Sequence, residues 1–336
     1  MYLIMVLWQL LLVEESGVSK LLSFDNSSIV SKFSKVSLSE ISLETRFTKK
    51  TKIGIPFVTT PNITDVELAK SMIDCLGVGI IGGHQSIEKQ ISKVKSLYFY
   101  WHKTKNGYIH TMHKNTNLSK EIIRDLDDTI NFMNKLPICA AVFISDDVID
   151  RVAALSGNGC NVIYIDSPYG YHKLVGDTIE KIKKELSRVE VIAGSVDTKK
   201  AVRYLCEAGA DAITIGVGSG YQYQKNSRTG YEISEISTII DCNSIADSFD
   251  VPIIGHIDTT NIGDVCKGLG AGADSFIMDS YFQNVRESTK TINQTGKLTL
   301  QLNVDDILKS LKSSFMLTDS KNMKEFHSKV DFIKKY

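Results

Sequence analysis

The chain has 336 residues, 43% of them apolar, enough to bury the core of one large α/β barrel or of two ordinary domains. Its 39 lysines and arginines balance 39 aspartates and glutamates, so no net field recruits nucleic acid or an anionic membrane surface. The six cysteines, Cys75, Cys139, Cys160, Cys206, Cys242 and Cys266, are scattered without a Cys-x-x-Cys pair or a histidine at zinc spacing, and read as reduced, mostly buried small residues.

Residues 1–13 are apolar but lack a basic leading region and a small-residue cleavage site, and they are too short to cross a bilayer comfortably. We read them as a strand or helix packed on the rest of the protein, with a targeting or membrane segment as the other reading. A packed segment implies a cytoplasmic chain without a membrane partner, in which the sequon at Asn62 carries no meaning.

From residue 53 onward, short β-branched runs alternate with segments of helical periodicity, the pattern of repeated βα units around a parallel sheet. The spacing predicts strands at 53–58, 78–82, 138–144, 162–166, 189–194, 212–216, 251–255 and 275–278. Helices are predicted between them, among others at 65–75, 198–208 and 233–249. Residues 95–136 are too long for a simple connection and read as an insertion with one helix at 118–133. After the last strand, 288–303 is polar and turn-like, and helices are expected at 305–313 and 319–329. Eight such units fit a (β/α)8 TIM barrel better than a doubly wound open sheet, which uses fewer strands. The expectation is a single barrel domain over 1–336, with 1–52 as an N-terminal segment, 95–136 inserted and 288–336 as a C-terminal extension. Function in such a barrel is sought just after each strand.

Several motifs resemble, in order and spacing, the inosine monophosphate dehydrogenase and GMP reductase family. They are Ser42-Leu-Glu-Thr-Arg-Phe-Thr-Lys-Lys50, Ile55-Pro-Phe-Val-Thr-Thr-Pro61, Val162-Ile-Tyr-Ile-Asp-Ser167 and Val191-Ile-Ala-Gly-Ser-Val-Asp-Thr198, followed by the run from Ala208 to Gly220 and the run from Gly263 to Asp274. The tail around Ser310 and Asn322 is similar too, while the regulatory pair of nucleotide-binding modules has no room in 95–136. The resemblance implies an NAD- or NADP-dependent purine-nucleotide oxidoreductase in which a cysteine thiolate holds the purine covalently while a hydride moves.

The residues that carry such chemistry have changed. Tyr223 stands where the resemblance places the cysteine, and a phenol with a pKa near 10 does not replace a thiolate. Tyr221 occupies the position of a phosphate-binding serine. His256, Ile257 and Asp258 replace an Asp-Gly-Gly, and Asp279 replaces the glycine before Ser280. No segment comparable to the family's catalytic flap stands between Ser280 and the C-terminal helices. What remains is Asp166 and Ser167, matching the family's dinucleotide-side pair, with Gly216, Gly218, Ser219, Gly220 and Ser280 as the vestige of the nucleotide site. Each has a plain structural reading beside it: the glycines turn the chain tightly, and an aspartate closing a strand caps the next turn. His256, Asp258 and Asp279 should meet at the barrel mouth, where such a group runs acid/base chemistry or binds a metal only if its side chains converge. No metal is assigned. The aromatic run Tyr98 to Trp101 is an oligomer contact or packing beneath the insertion.

The leading expectation is a catalytically degenerate relative, a pseudoenzyme with a binding or structural role, no catalytic residue and no cofactor. It would assemble with itself or with an active relative, as the resemblance implies. The alternative is a divergent oxidoreductase that still uses NAD or NADP. A hydrolase or lyase built on His256, Asp258 and Asp279 comes third.

Overall fold

A computed structural model describes residues 21–114, 136–216, 233–256, 259, 261–288 and 299–335. After the short strands β1 (Ser27–Ile29), β2 (Thr45–Arg46) and β3 (Lys52–Ile53), eight strands form its centre: β4 (Phe57–Thr59), β5 (Val78–Ile81), β6 (Cys139–Val142), β7 (Val162–Asp166), β8 (Glu190–Val196), β9 (Ala212–Ile215), β10 (Ile253–Gly255) and β11 (Ser275–Met278). They close into a barrel in sequence order, every neighbouring pair parallel, with β11 returning to β4 through Ile277 opposite Val58. The predicted (β/α)8 barrel is therefore the fold. Closure leaves no strand edge, and nearly every strand residue is buried because side chains fill the inside and helices cover the outside.

The helices around it are α1 (Val66–Asp74), α2 (Ile87–Lys114), α3 (Val148–Ser156), α4 (Lys173–Glu185), α5 (Lys199–Glu207), α6 (Glu235–Ala246) and α7 (Ile262–Gly270), then α8 (Leu300–Leu317) and α9 (Met323–Lys329) beyond the last barrel strand. Local chemistry sets their starts. The side chains of Asp65, Thr198, Asn261 and Asn322 each accept a backbone N–H of the first turn. Among the described residues no helix is long and apolar enough to cross a membrane.

Four boundaries differ from the sequence reading. The first expected strand, 53–58, is two elements, because Ile53 ends β3 (Lys52–Ile53), which turns back on β2 (Thr45–Arg46), and only Phe57 onward joins the barrel. Residues 95–114, assigned to an insertion, continue α2; its inner face buries Val94 and Leu97 and so holds the helix on the core. The helix expected at 118–133 lies outside the described residues, as do residues 1–20. The stretch 288–303 is not turn-like to its end, since α8 begins at Leu300, whose side chain is buried with Val304 and Ile307. The last helix starts after Asn322 rather than at Asp319, whose φ of 55° is left-handed and cannot begin a helix.

The β2–β3 hairpin plugs the end of the barrel where the strands begin. The Thr45 hydroxyl donates to the Asp274 carbonyl at 2.8 Å, next to β11, and the Lys49 N–H to the Asp211 carbonyl at 2.9 Å, next to β9. The Thr48 and Thr51 hydroxyls, both at 2.6 Å, and the Lys50 N–H at 3.0 Å converge on the buried Glu190 carboxylate at the start of β8. The repeated Gly-Ala-Asp runs have a structural role at the same end. Gly209 (φ 100°) and Gly272 (φ 115°) end their helices in the left-handed region, and Asp211 and Asp274 then accept the backbone N–H groups of Val191 (2.7 Å) and Ile253 (3.0 Å) on the preceding strands. This end is a sealed floor, which leaves the opposite end for chemistry.

Candidate functional site at the barrel mouth

Where β7 and β8 end, the chain stitches itself together. The Ser167 N–H donates to the Gly194 carbonyl (3.0 Å), and the Ser195 and Gly170 N–H groups complete the seam with Ser167 and Ser195 carbonyls at 2.7 and 3.2 Å. The His256 N–H reaches the Ile215 carbonyl at 2.7 Å, fixing the residue after β10 against β9. Gly194 is required here: with φ 148°, a side chain's first carbon would lie 2.1 Å from the Thr214 hydroxyl oxygen. Across the mouth, the buried Gln90 amide donates to the Ala141 carbonyl at 2.8 Å and accepts from Arg151 at 3.0 Å, tying the ends of β5 and β6.

Four polar side chains converge on this frame. The Tyr164 hydroxyl lies 3.5 Å and the Ser195 hydroxyl 3.4 Å from His256 Nδ1. Tyr164 and Asp166 are two apart on β7, so both point into the barrel, Tyr164 wholly buried one layer below the half-buried Asp166. Burial pushes the Asp166 carboxyl above the usual carboxylate range, and the imidazoles of His256 and His84 with the Tyr164 hydroxyl pull it back down. The Tyr164 phenol is held well above its ordinary value by burial first and by the neighbouring Asp166 charge second, so it is a neutral donor. His84, exposed after β5, sits against the Phe143 ring at 4.2 Å between centroids.

Asp166 and His256, singled out from the sequence, are thus brought together, but the His256 ring meets Tyr164 and Ser195. Sequence reasoning missed Tyr164, Ser195 and His84. The first was legible, because any residue two before a strand-ending aspartate shares its inward face. Asp279 is buried, 5% exposed, and its carbonyl accepts the Phe282 and Gln283 N–H groups in the turn that leaves β11. Ser280 beside it is half-buried. Gly216, with φ 116°, makes the turn after β9 that the structural reading of that glycine expects. Gly218, Ser219, Gly220, Tyr221, Tyr223 and Asp258 lie outside the described residues. Ser167 uses its hydroxyl to accept the Tyr169 N–H at 3.2 Å. Among the described residues no group of three or more His, Cys, Asp or Glu side chains is placed to hold a metal ion.

All six cysteines are buried and free. Cys139 and Cys160 stand where β6 and β7 begin, Cys75 and Cys206 near the C-terminal ends of α1 and α5, all toward the floor, while Cys242 and Cys266 lie within α6 and α7. Burial pushes Cys75, Cys160 and Cys242 up to about 12 and Cys206 up to about 11, and raises Cys139 and Cys266 as well. The aromatic run on α2 divides. The Tyr100 hydroxyl donates to Asp74 at 2.8 Å and Trp101 packs on the core, whereas Phe99 is 68% exposed.

Residues 21–301 match the family described as IMP dehydrogenase / GMP reductase domain. The chain belongs to that family. It is 30% identical over 295 residues to an inosine-5'-monophosphate dehydrogenase of Borreliella burgdorferi, covering 82% of this chain and 73% of that one. It is also 30% identical over 291 residues to the enzyme of that name from Cryptosporidium parvum, covering 81% and 70%. In three dimensions it is similar to a GMP reductase variant from Trypanosoma brucei, with a TM-score of 0.80 over 96% of this chain and 98% of that one; at 19% identity the likeness is one of fold. Within the IMP dehydrogenase / GMP reductase family, then, this member has at its mouth a Tyr/Asp/Ser/His cluster and no cysteine among the described mouth residues.

Proposed function

We propose that this chain is a catalytically silent barrel of the family, acting through binding or as a structural subunit. The position and chemistry of its cysteines carry the reading. The relatives are named for acting on purine nucleotides, and the sequence resemblance ties that chemistry to a thiolate at the mouth. Here every thiol is buried elsewhere and held protonated at neutral pH, and Tyr223 stands at the position in the sequence. The buried Asp279 places a carboxyl-bearing side chain where the resemblance expects a glycine to meet phosphate.

A nicotinamide dinucleotide would still find Asp166 and Ser167. They fit redox use poorly: Ser167 already accepts a loop N–H and is bonded into the β7–β8 seam, and Asp166 faces His256. We expect no cofactor. A divergent oxidoreductase using NAD or NADP is the competing reading and rests on that retained pair. Self-assembly, or co-assembly with an active relative in the cytoplasm, belongs to the leading reading, and the exposed Phe99 and Tyr169 support it.

The deciding experiment follows absorbance of the reduced cofactor with the purified full-length chain, supplying inosine monophosphate with NAD and, separately, GMP with NADPH. The expected result is no turnover above the protein-free rate. Turnover abolished by Tyr223→Phe would establish the competing reading.

A further inference from the structure

We propose that the barrel carries a chemistry of its own, acyl transfer by a serine nucleophile, in which the Ser195 hydroxyl attacks an uncharged carboxylic ester and His256 takes its proton. This goes beyond the silent-barrel reading, which concerns a thiolate and purine nucleotides and leaves a hydroxyl nucleophile untouched. Geometry is the first support. Ser195 Oγ lies 3.4 Å from His256 Nδ1, the looser distance such a pair shows before a substrate tightens it. The two residues come from the ends of β8 and β10, with β9 between them, and main-chain bonds hold both: the Ser195 N–H donates to the Ser167 carbonyl and the His256 N–H to the Ile215 carbonyl, each at 2.7 Å. Nucleophile and base are therefore positioned by the frame.

The second support is a carboxylate in the right company. Asp166 stands opposite Gly194 in the β7–β8 register, one residue from the nucleophile, and its charge acts on the His256 imidazole. The Tyr164 hydroxyl, 3.5 Å from the same Nδ1, is hydrogen-bonded to the Asp166 carboxylate. Its proton is committed there, which leaves the Nδ1 lone pair to the Ser195 hydroxyl. Ser195, His256 and Asp166 are all half-buried, open to a ligand and yet shielded from bulk water. Such a set is defined by roles and geometry, whatever the order of its members in the chain. The reaction balances without a redox partner. Ser195 Oγ bonds to the acyl carbon as its proton passes to Nδ1, and the Asp166 charge stabilises the imidazolium. The ester C–O bond breaks and the alcohol leaves with that proton. Water then attacks the acyl-serine, His256 takes one of its protons and returns it to Ser195, and the carboxylic acid departs. With Tyr164 committed to Asp166, the set suits an ester with a good leaving group rather than an amide, whose departure leans on oxyanion donors.

The test treats the full-length protein with an uncharged alkyl fluorophosphonate, which loses fluoride to an activated serine, and follows p-nitrophenyl acetate hydrolysis in the same preparation. We expect one phosphonyl group per chain, located by peptide mass spectrometry on Ser195, and ester hydrolysis that the phosphonylated protein no longer shows. Ser195→Ala should abolish both, His256→Ala should slow labelling by about a hundredfold, and Asp166→Asn by about tenfold or more. An unaltered protein that takes no label at Ser195, or that hydrolyses the ester equally well before and after phosphonylation, would overturn the proposal. So would labelling of Ser195 that His256→Ala leaves at full rate. The first two outcomes need no variant, so misfolding of a variant does not shield the idea. Cofactor turnover in the same preparation reports separately: its appearance defeats the silent-barrel reading alone, and the absence of a label on Ser195 defeats the serine chemistry alone.

Discussion

Thiol reactivity gives the most direct test of whether any nucleophile of the family's kind survives. Only the thiolate attacks a disulfide reagent, and an ordinary thiol with a pKa of about 8.5 is about one-tenth ionised at pH 7.5. Cys75, Cys160 and Cys242, at about 12, are ionised to roughly three parts in 100,000, a slowing on the order of three-thousandfold before steric exclusion adds to it. Cys206, at about 11, is slowed by roughly three-hundredfold. Native protein mixed with excess aromatic disulfide reagent should therefore show no rapid release of chromophore, and all six thiols should react once the chain is unfolded in guanidinium. Tyr223→Cys should not produce turnover of inosine monophosphate, because Asp279 remains in place of the glycine. A stoichiometric fast thiol in the unaltered native protein, protected by added inosine monophosphate, would refute the reasoning.

Other expectations concern the frame. Glu190→Ala should destabilise the barrel by about 2 to 4 kcal/mol, because the buried Thr48 and Thr51 hydroxyls lose their acceptor; the urea midpoint measures it. Gly194→Ala should cost about 2 to 4 kcal/mol in the same assay, since the added carbon collides with Thr214. Glu40 is held down at about 2 by Lys321 and by Ser37, so its contribution is full above the unfolded carboxylate value near 4.5 and is lost as pH falls through 2. Lys321→Gln should therefore flatten the loss of stability between pH 5 and pH 2, followed by urea midpoints at each pH. Full-length protein should fractionate with the soluble material; its recovery with membranes, when a version lacking residues 1–13 stays soluble and folded, would contradict the packed reading of that segment.

The eight βα units, their order and their closure were legible in the sequence, since strands buried on both faces must be continuous apolar runs and the turns between units carry Gly-Ala-Asp. That no cysteine stands between Cys206 and Cys242, with Tyr223 in that interval, was legible as well, because it is a matter of residue identity. Element ends were less so. Leu300 begins a helix in a polar stretch because its side chain finds the core, and the 95–114 segment continues α2 because Val94 and Leu97 do; both are contacts made across the fold, invisible to local composition. The site divided along the same line. Asp166 and His256 were named from the family resemblance and their places after strands, but their separation in sequence gives no distance, and only barrel closure places β7, β8 and β10 so that Tyr164, Ser195 and His256 touch. Sequence states which groups stand at strand ends; convergence depends on the register and tilt with which the strands close, and those are properties of the assembled sheet.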